Sequence, residues 1–436
     1  MGRKSKISRS RHIGRKSLWY NHAQMKIPAF LKHTVLLFLA LRAADLVNLA
    51  AGMWIVPRFV APDELGAVLP FVTFATTLAT PAFAFAFVLM RESNRLAGER
   101  AFGRLKSLLA GSFIGTSALV LLALAGSACF IPHFTAKMKT GSSGVVFVAL
   151  AAAFLGSFAP VYQDALNGLK RFGAYGLTEV AAALARVGTM LVVMPFNALL
   201  GFFCGNATQP LARIAGTVVA LGGDLRVPSE RYWTRPALKR LAVTYLGVLA
   251  YLLPPMFVAC CELSLVRTLL PSDVSGAYYL ETRLTDVLGY LTLPILLVLF
   301  PVAAEAARKG RSTRPLVKRC GLAALVGAIV LSAVYGFFGR DLLALFPNAS
   351  KLAFGTETNG QLLLLLGIGF AGAFQTFYTN AEIAAGRFGF LWWFVPLHAA
   401  YYAFLATATL APDLTTLLRF FFAFGILKLA FVLARS

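Results

Sequence analysis

Charged side chains inside long apolar runs are the residues of this sequence best placed to do chemistry. Such a side chain costs at least roughly 2.5–3.5 kcal/mol within a bilayer, so it normally faces a partner or a water-filled cavity. Those that lie deepest in the apolar runs include Arg42, Asp45, Arg186, Arg213, Glu281, Arg283 and Asp286. Their depth predicts either paired charges that join helices or a site for a polar substrate.

The four arginines suggest an anionic substrate. Arginine presents a planar fork that donates two hydrogen bonds at once, which suits phosphate. We therefore expect Arg42, Arg186, Arg213 and Arg283 to line a cationic central cavity. An alternative remains open, because Arg42–Asp45 and Arg283–Asp286 are each spaced one turn apart and could form ion pairs that only hold helices together.

The deep acids have a hypothesis of their own. A carboxylate at membrane depth can take up a proton or hold Na⁺, which is how a secondary transporter couples to an ion gradient. Asp45, Glu281 and Asp286 are the candidates for such coupling. Imposed proton and sodium gradients would test it.

Motifs for enzymatic chemistry do not occur in the sequence. There is no G-x-x-x-x-G-K-[ST] phosphate cradle and no H-E-x-x-H metal motif. The five cysteines lack metal-ligand spacing, and an odd number is no disulfide framework. We expect neither an enzyme nor a metal or organic cofactor.

The composition is that of a multi-pass membrane protein. Of its 436 residues, 58% are hydrophobic and only 14% are charged. The apolar residues form blocks of about 20, long enough to cross a bilayer core of roughly 30 Å. The formal charge of +23 would suggest nucleic acid in a soluble protein. Here it indicates cytoplasmic loops that follow the positive-inside rule, with no nucleic-acid partner.

The apolar blocks predict an all-α membrane protein with twelve transmembrane helices. The predicted ranges are Thr34–Val56, Gly66–Met90, Ser107–Ile131, Gly144–Leu166, Ala174–Met194, Ala198–Leu221, Leu241–Val266, Gly276–Ala303, Cys320–Gly339, Gln361–Ala384, Gly389–Leu410 and Thr415–Leu433. With the N-terminus inside, 29 lysines and arginines outside the spans lie on the inner side and six on the outer side. Both termini are therefore predicted to be cytoplasmic.

Two polar turns reveal an internal duplication. The turn with Arg58, Pro62 and Gly66 is repeated as a turn with Arg267, Pro271 and Gly276. The second turn has one more residue between the proline and the glycine. A second motif, Phe158-x-x-x-Tyr162, returns 216 residues later as Phe374-x-x-x-Tyr378. Six helices in each half make the repeats parallel, with a pseudo-two-fold axis along the membrane normal. These turns are predicted to shape an outer gate.

The duplication divides the chain into four parts. We predict a basic cytoplasmic tail over 1–33, a six-helix bundle over 34–222, a cytoplasmic linker over 223–240 and a second bundle over 241–436. The tail carries nine basic residues and no acid, so it is attracted to anionic headgroups. A membrane scaffold that recruits partners through this tail is a further interpretation, which deletion of residues 1–24 would test.

Three segments carry a family resemblance. The turn Arg58-x-x-x-Pro62-x-x-x-Gly66, the helix that starts Gly276-Ala-Tyr-Tyr-Leu-Glu-Thr-Arg-Leu, and the segment Asn167-Gly-Leu-Lys-Arg-Phe-Gly are similar to those of bacterial polysaccharide biosynthesis membrane proteins. These are oligosaccharide-lipid flippases of the multidrug/oligosaccharidyl-lipid/polysaccharide (MOP) superfamily, which also holds the MATE exporters. The resemblance extends over nearly all of 34–433.

The resemblance implies V-shaped six-helix bundles that work by alternating access. The substrate would be an undecaprenyl-diphosphate-linked oligosaccharide, moved across the bacterial inner membrane for surface polysaccharide biosynthesis. Its partners would be this lipid-linked oligosaccharide, membrane lipids and possible H⁺ or Na⁺, and we expect a monomer. A MATE-like ion-coupled exporter of small organic compounds is the alternative, since Asp45, Glu281 and Asp286 could make the cavity acidic.

Overall fold

The computed structural model describes residues 27–129, 131–137, 143–169, 171–223, 226–407 and 413–435. Regular elements in these ranges are helical. They are α1 (Ile27–Ala50), α2 (Val56–Phe59), α3 (Pro62–Gly98), α4 (Phe102–Ala128), α5 (Ile131–Lys137), α6 (Ser143–Gly168), α7 (Phe172–Val193), α8 (Ala198–Leu221), α9 (Arg235–Leu269), α10 (Ser272–Arg308), α11 (Arg314–Ala344), α12 (Thr358–Ala384), α13 (Leu391–Thr407) and α14 (Leu414–Arg435). Residues 1–26 of the predicted tail lie outside the described residues.

Twelve of the described helices are long, and each corresponds to a predicted span. Seven of them are long and apolar enough to cross a membrane, which makes the chain a multi-pass membrane protein. Most helices run further than predicted, because the backbone keeps its hydrogen bonds beyond the apolar residues. The helix predicted over 66–90, for example, is α3, which begins at Pro62 and ends at Gly98. The predicted end at Leu410 lies outside the described residues.

The helices pack as two groups joined along one seam. In the first group α6 packs on α3, α4 and α8, while α7 packs on α1 and α8. In the second group α12 packs on α10, α11 and α14, while α13 packs on α9. Between the groups the main contacts are those of α3 with α9 and α10. The sequence-based boundary at 223–240 between two bundles stays a prediction.

A strap of residues 226–234 between α8 and α9 lies across one end of the first group. We call this the linker side, and the opposite end, with the repeated turns, the turn side. The Trp233 indole donates to the Ser107 carbonyl at 3.0 Å, and Lys106 donates to the Val227 carbonyl at 3.2 Å. A Cβ on Gly111 would come within 2.2 Å of the Trp233 ring, so only glycine lets the strap pack here. The linker is thus fixed to the first group.

Glu92 at the end of α3 joins the strap to the second group. Its carboxylate accepts from Tyr232 at 3.1 Å and from the Arg240 Nε at 3.0 Å, and it pairs with Arg95 at 2.8 Å. Burial, and then the adjacent Glu92 charge, raise the pKa of Tyr232, which keeps its hydroxyl a donor. Since Arg240 belongs to α9, this carboxylate holds the two groups together on the linker side.

Candidate functional site

Two ion pairs face each other across the space between the groups. On α1, Arg42 pairs with Asp45 at 2.6 Å, and on α10, Arg283 pairs with Asp286 at 2.9 Å. Both pairs have the i,i+3 spacing read from the sequence. The four side chains are 18–35% exposed, so they are not sealed within the packed core.

Pro294 explains how Arg42 reaches the second group. Proline lacks a backbone N–H, so the carbonyl four residues earlier loses its helical donor. That carbonyl belongs to Tyr290, and it accepts a hydrogen bond from Arg42 Nη1 instead. A break in the α10 hydrogen-bond ladder therefore creates the polar contact between α1 and α10.

The other two arginines come from α7 and α8. Arg186 donates to the Asn48 side chain of α1 at 2.8 Å and lies over the Phe202 ring. Arg213 pairs with Glu179 of α7 at 2.8 Å, and Gln163 of α6 donates to the same carboxylate at 2.7 Å. Each arginine is thus held by one oxygen partner on a neighbouring helix.

These contacts bring all four predicted arginines into one cluster. Arg186 interacts electrostatically with both Arg213 and Arg283, and Asp45 does so with Arg42 and Arg213. We call Arg42, Arg186, Arg213 and Arg283 the arginine cluster. Three acids balance part of it: Asp45, Glu179 and Asp286.

The arginine cluster keeps unused donors. Among the described residues, the Nε atoms of all four arginines of the cluster are buried and have no hydrogen-bond partner. A buried donor without a partner costs about 1–3 kcal/mol, so an arriving acceptor recovers that energy. Four positive groups against three negative ones, with free donors, favour an anionic ligand.

The repeated turns close the turn side of the arginine cluster. A Cβ on Gly66 would come within 2.1 Å of Ser275 Oγ and 2.9 Å of its carbonyl carbon. A Cβ on Gly276 would come within 2.6 Å of the Pro62 carbonyl oxygen. Each turn thus packs directly on the other, and both glycines are needed for that approach. Pro271 opens the second turn next to this contact, as Pro62 opens α3.

The two arginines of the turns differ in their surroundings. Arg58 is exposed, whereas Arg267 is 2% exposed and donates to Ser275 Oγ at 3.1 Å. Two further contacts hold the groups together here. Asn348 donates to the Pro57 carbonyl at 2.6 Å, and the Trp54 and Phe346 rings meet edge to face.

Solved structures with the same architecture are transporters. A multidrug resistance MATE family transporter of the MOP superfamily, in its inward-facing conformation, aligns with a TM-score of 0.64 at 16% identity, covering 92% of this chain and 98% of that one. MATE in the straight conformation gives a TM-score of 0.64 at 15% identity, with 93% and 95% covered. The chain has the fold of the MATE transporters of the MOP superfamily.

A third neighbour comes from Pyrococcus furiosus. It is a MOP superfamily transporter for which a reverse polarity of the binding pocket suggests a different function, and it aligns with a TM-score of 0.58 at 14% identity, with 93% and 94% covered. No family model matches this chain, and no curated protein matches it. At such low identity the MATE fold is shared, while the substrate has to be argued from the side chains.

Glu281 lies apart from the arginine cluster. Residues two positions apart on a helix point in nearly opposite directions, so Glu281 turns away from Arg283. Its carboxylate is 1% exposed, and neither oxygen has a hydrogen-bond partner among the described residues. The acid that lies beside the arginines instead is Glu179, which pairs with Arg213. It was not singled out from the sequence, although it lies two turns from Arg186 on the same face of α7.

A second polar group lies within the second group of helices. Tyr401 donates to Glu262 at 3.0 Å, and Glu262 interacts electrostatically with Lys428. The Lys428 ammonium lies 4.7 Å from the centre of the Phe424 ring. This set joins α9, α13 and α14.

Proposed function

We propose that the protein is a flippase that moves an undecaprenyl-diphosphate-linked oligosaccharide across the bacterial inner membrane by alternating access, for surface polysaccharide biosynthesis. The observation that carries the proposal is the convergence of Arg42, Arg186, Arg213 and Arg283, whose four Nε donors have no hydrogen-bond partner. The MATE fold supports a transporter, and the lack of nucleotide and metal motifs supports a chain that is not an enzyme.

The contacts suggest how such a substrate would be held and moved. A diphosphate would take the free donors of Arg186, Arg213 and Arg283, while Arg42 stays tied to α10 through the Tyr290 carbonyl. With the turn side closed, the substrate would enter from the linker side, which we propose is cytoplasmic together with both termini. Separation of the repeated turns would then open the site to the outer leaflet.

Substitution of the arginines tests the proposal. In a strain that depends on this protein for its surface polysaccharide, each of the four is replaced by alanine and by lysine. A charged hydrogen bond contributes about 1.5–3 kcal/mol, so alanine should weaken substrate binding by roughly 10–150-fold. Lysine keeps the charge but loses the fork, so it should restore only part of the export.

The readouts are membrane abundance, exported polymer and lipid-linked precursor. Arg340→Ala is the matched control, because Arg340 is exposed on the turn side, away from the arginine cluster. Alanine variants at normal abundance should lose export while precursor accumulates. If all four alanine variants export normally, the arginines only join helices and the flippase proposal is wrong.

A MATE-like exporter of small organic compounds is the second candidate. The three acids of the site, Asp45, Glu179 and Asp286, favour it because they could attract a cationic compound. Deletion of the gene should then raise susceptibility to cationic drugs, with polymer export unchanged. If the protein is a flippase, the deletion should abolish polymer export and leave susceptibility to cationic drugs unchanged.

We propose that H⁺ or Na⁺ couples transport at Asp45, Glu281 and Asp286. Glu281 has the strongest structural support, since an unpaired buried carboxylate is costly when ionised and is relieved by a proton or a cation. Asp45 and Asp286 would bind such an ion only when their arginines turn to a substrate. Transport in vesicles that is indifferent to imposed proton and sodium gradients would contradict coupling.

A further inference from the structure

An apolar cleft opens between α10 and α12 next to the arginine cluster. It measures about 220 Å³, and its lining includes Gly289, Leu293 and Leu296 of α10 and Gly369, Ala373 and Phe377 of α12. The hydroxyls of its two threonines, Thr292 and Thr376, donate hydrogen bonds to backbone carbonyls of their own helices. The cleft therefore offers a ligand hydrocarbon contacts and no free polar side chain.

Two glycines keep the cleft open without being needed for helix packing. A Cβ on Gly289 would meet nothing within 4 Å, and one on Gly369 would only touch Leu288 at 3.6 Å. Gly321 and Gly367 of the same group differ, because a Cβ there would come within 2.1 Å of the Phe374 ring and 2.4 Å of the Phe422 ring respectively. Since neither cleft glycine accommodates a neighbour, the space is available to a ligand.

The cleft continues the arginine cluster along one face of α10. Asp286, Gly289, Leu293 and Leu296 follow the i, i+3, i+7, i+10 spacing of a single helical stripe, and Arg283 extends it by one turn. Gly289 is six residues from Arg283, which is about 9 Å along the axis. The stripe is thus charged towards the turn side and apolar towards the linker side.

We propose that this cleft binds the first isoprenoid units of the lipid carrier while the arginine cluster holds its diphosphate. The inference rests on the flippase function proposed above. A polyprenyl diphosphate has an anionic end joined directly to a branched hydrocarbon, and the stripe presents matching surfaces in the same order. No charged side chain lines the cleft to compete with the chain.

Binding of short ligands to the purified full-length protein in lipid nanodiscs tests the inference. Farnesyl diphosphate and inorganic pyrophosphate report on the cleft and the arginine cluster respectively. Each buried methylene improves affinity roughly fourfold, so three or four buried carbons should make farnesyl diphosphate bind roughly 60–250-fold more tightly than pyrophosphate. Gly289→Leu and Gly369→Leu fill the cleft and should bring that advantage below about threefold, with pyrophosphate binding unchanged.

Gly336→Leu is the matched control. It adds the same side chain at an α11 position with no neighbour within 4 Å, so it should leave both affinities unchanged. Partition of farnesyl chains into the nanodisc is the same for every variant and cancels in the comparison. Farnesol, which lacks the diphosphate, should not compete at the concentrations that farnesyl diphosphate needs.

The outcomes separate this inference from the function on which it rests. If pyrophosphate binding depends on Arg186 but the farnesyl advantage survives in both filled variants, the cleft inference is overturned and the flippase stands. If pyrophosphate binds equally well to Arg186→Ala and to the unsubstituted protein, the proposed function fails. Competition by farnesol equal to that of farnesyl diphosphate would mark a general hydrocarbon site and also overturn the inference.

Discussion

Gly66→Ala should open the turn side. In the closed arrangement the new methyl would lie 2.1 Å from Ser275 Oγ and 2.9 Å from the Ser275 carbonyl carbon. The hydroxyl can rotate away, but the backbone carbon cannot, so the two turns must separate. Overpacking of this kind costs about 1–3 kcal/mol. Alanine also stabilises the α3 helix by up to about 1 kcal/mol relative to glycine. Because this gain is the same in the open and the closed protein, it does not change the ratio of open to closed protein.

A cost of about 1–3 kcal/mol shifts the ratio of open to closed protein by roughly 5–150-fold. Distances between spin labels at Arg58→Cys and Lys351→Cys, both exposed on the turn side, would report the shift once the five native cysteines are replaced. Gly66→Ala should add a longer distance component. Gly276→Ala, whose Cβ would meet the Pro62 carbonyl at 2.6 Å, should do the same.

Gly336→Ala is the control, since a Cβ there meets nothing within 4 Å. Ser275→Gly combined with Gly66→Ala removes the contacts with Oγ and Cβ but leaves that with the backbone carbon, so it should restore the closed distance only in part. An unchanged distance distribution in Gly66→Ala, in protein that is folded and inserted, would refute the view that this contact closes the turn side.

Two further substitutions test the contacts between the helix groups. Pro294→Ala supplies a backbone N–H for the Tyr290 carbonyl, so it should displace Arg42 and reduce export with normal abundance. Leu291→Ala, at an exposed α10 position outside the cleft, is the control, and unchanged export in Pro294→Ala would contradict the role of this carbonyl. Glu92→Gln weakens the contacts with Arg240 and Tyr232 by about 1–3 kcal/mol, so the strap should become cleavable in limited proteolysis and the midpoint of thermal unfolding should fall. Protection equal to that of the unsubstituted protein would show that Glu92 does not hold the strap.

Hydropathy predicted the number of long helices but not their ends. It reports which residues prefer the bilayer, and α3 and α9 continue as helices into polar residues beyond it. The strap was predicted only as a polar linker. The pair Tyr232-Trp233 could have indicated that the strap packs on the protein, since two adjacent aromatic residues in a charged segment tend to be buried against a neighbouring element.

The depth of the four arginines was readable from the sequence, but their partners were not. Asn48 and Arg186 lie on different helices, and helices that are apolar on all sides carry little information about how they are rotated. Pro294 predicts that the Tyr290 carbonyl, four residues earlier, lacks its helical hydrogen bond. Nothing in the sequence, however, indicates that Arg42 donates to this carbonyl. Similarly, Arg58 and Arg267 look equivalent in the repeats, and only packing makes one exposed and the other buried.

The contact between the two turns resembles the interface of a symmetric dimer within a single chain, since Gly66 and Gly276 hold matched positions and each packs against the other turn, Gly66 on Ser275 and Gly276 on Pro62. A patch that meets a rotated copy of itself needs no second partner, so a chain with one repeat could close the same seam as a homodimer. The arginine cluster cannot arise in that way, because the first repeat has Thr73 and Thr76 where the second has Arg283 and Asp286. A single chain that carries both turns can keep this contact while each half carries its own charged residues.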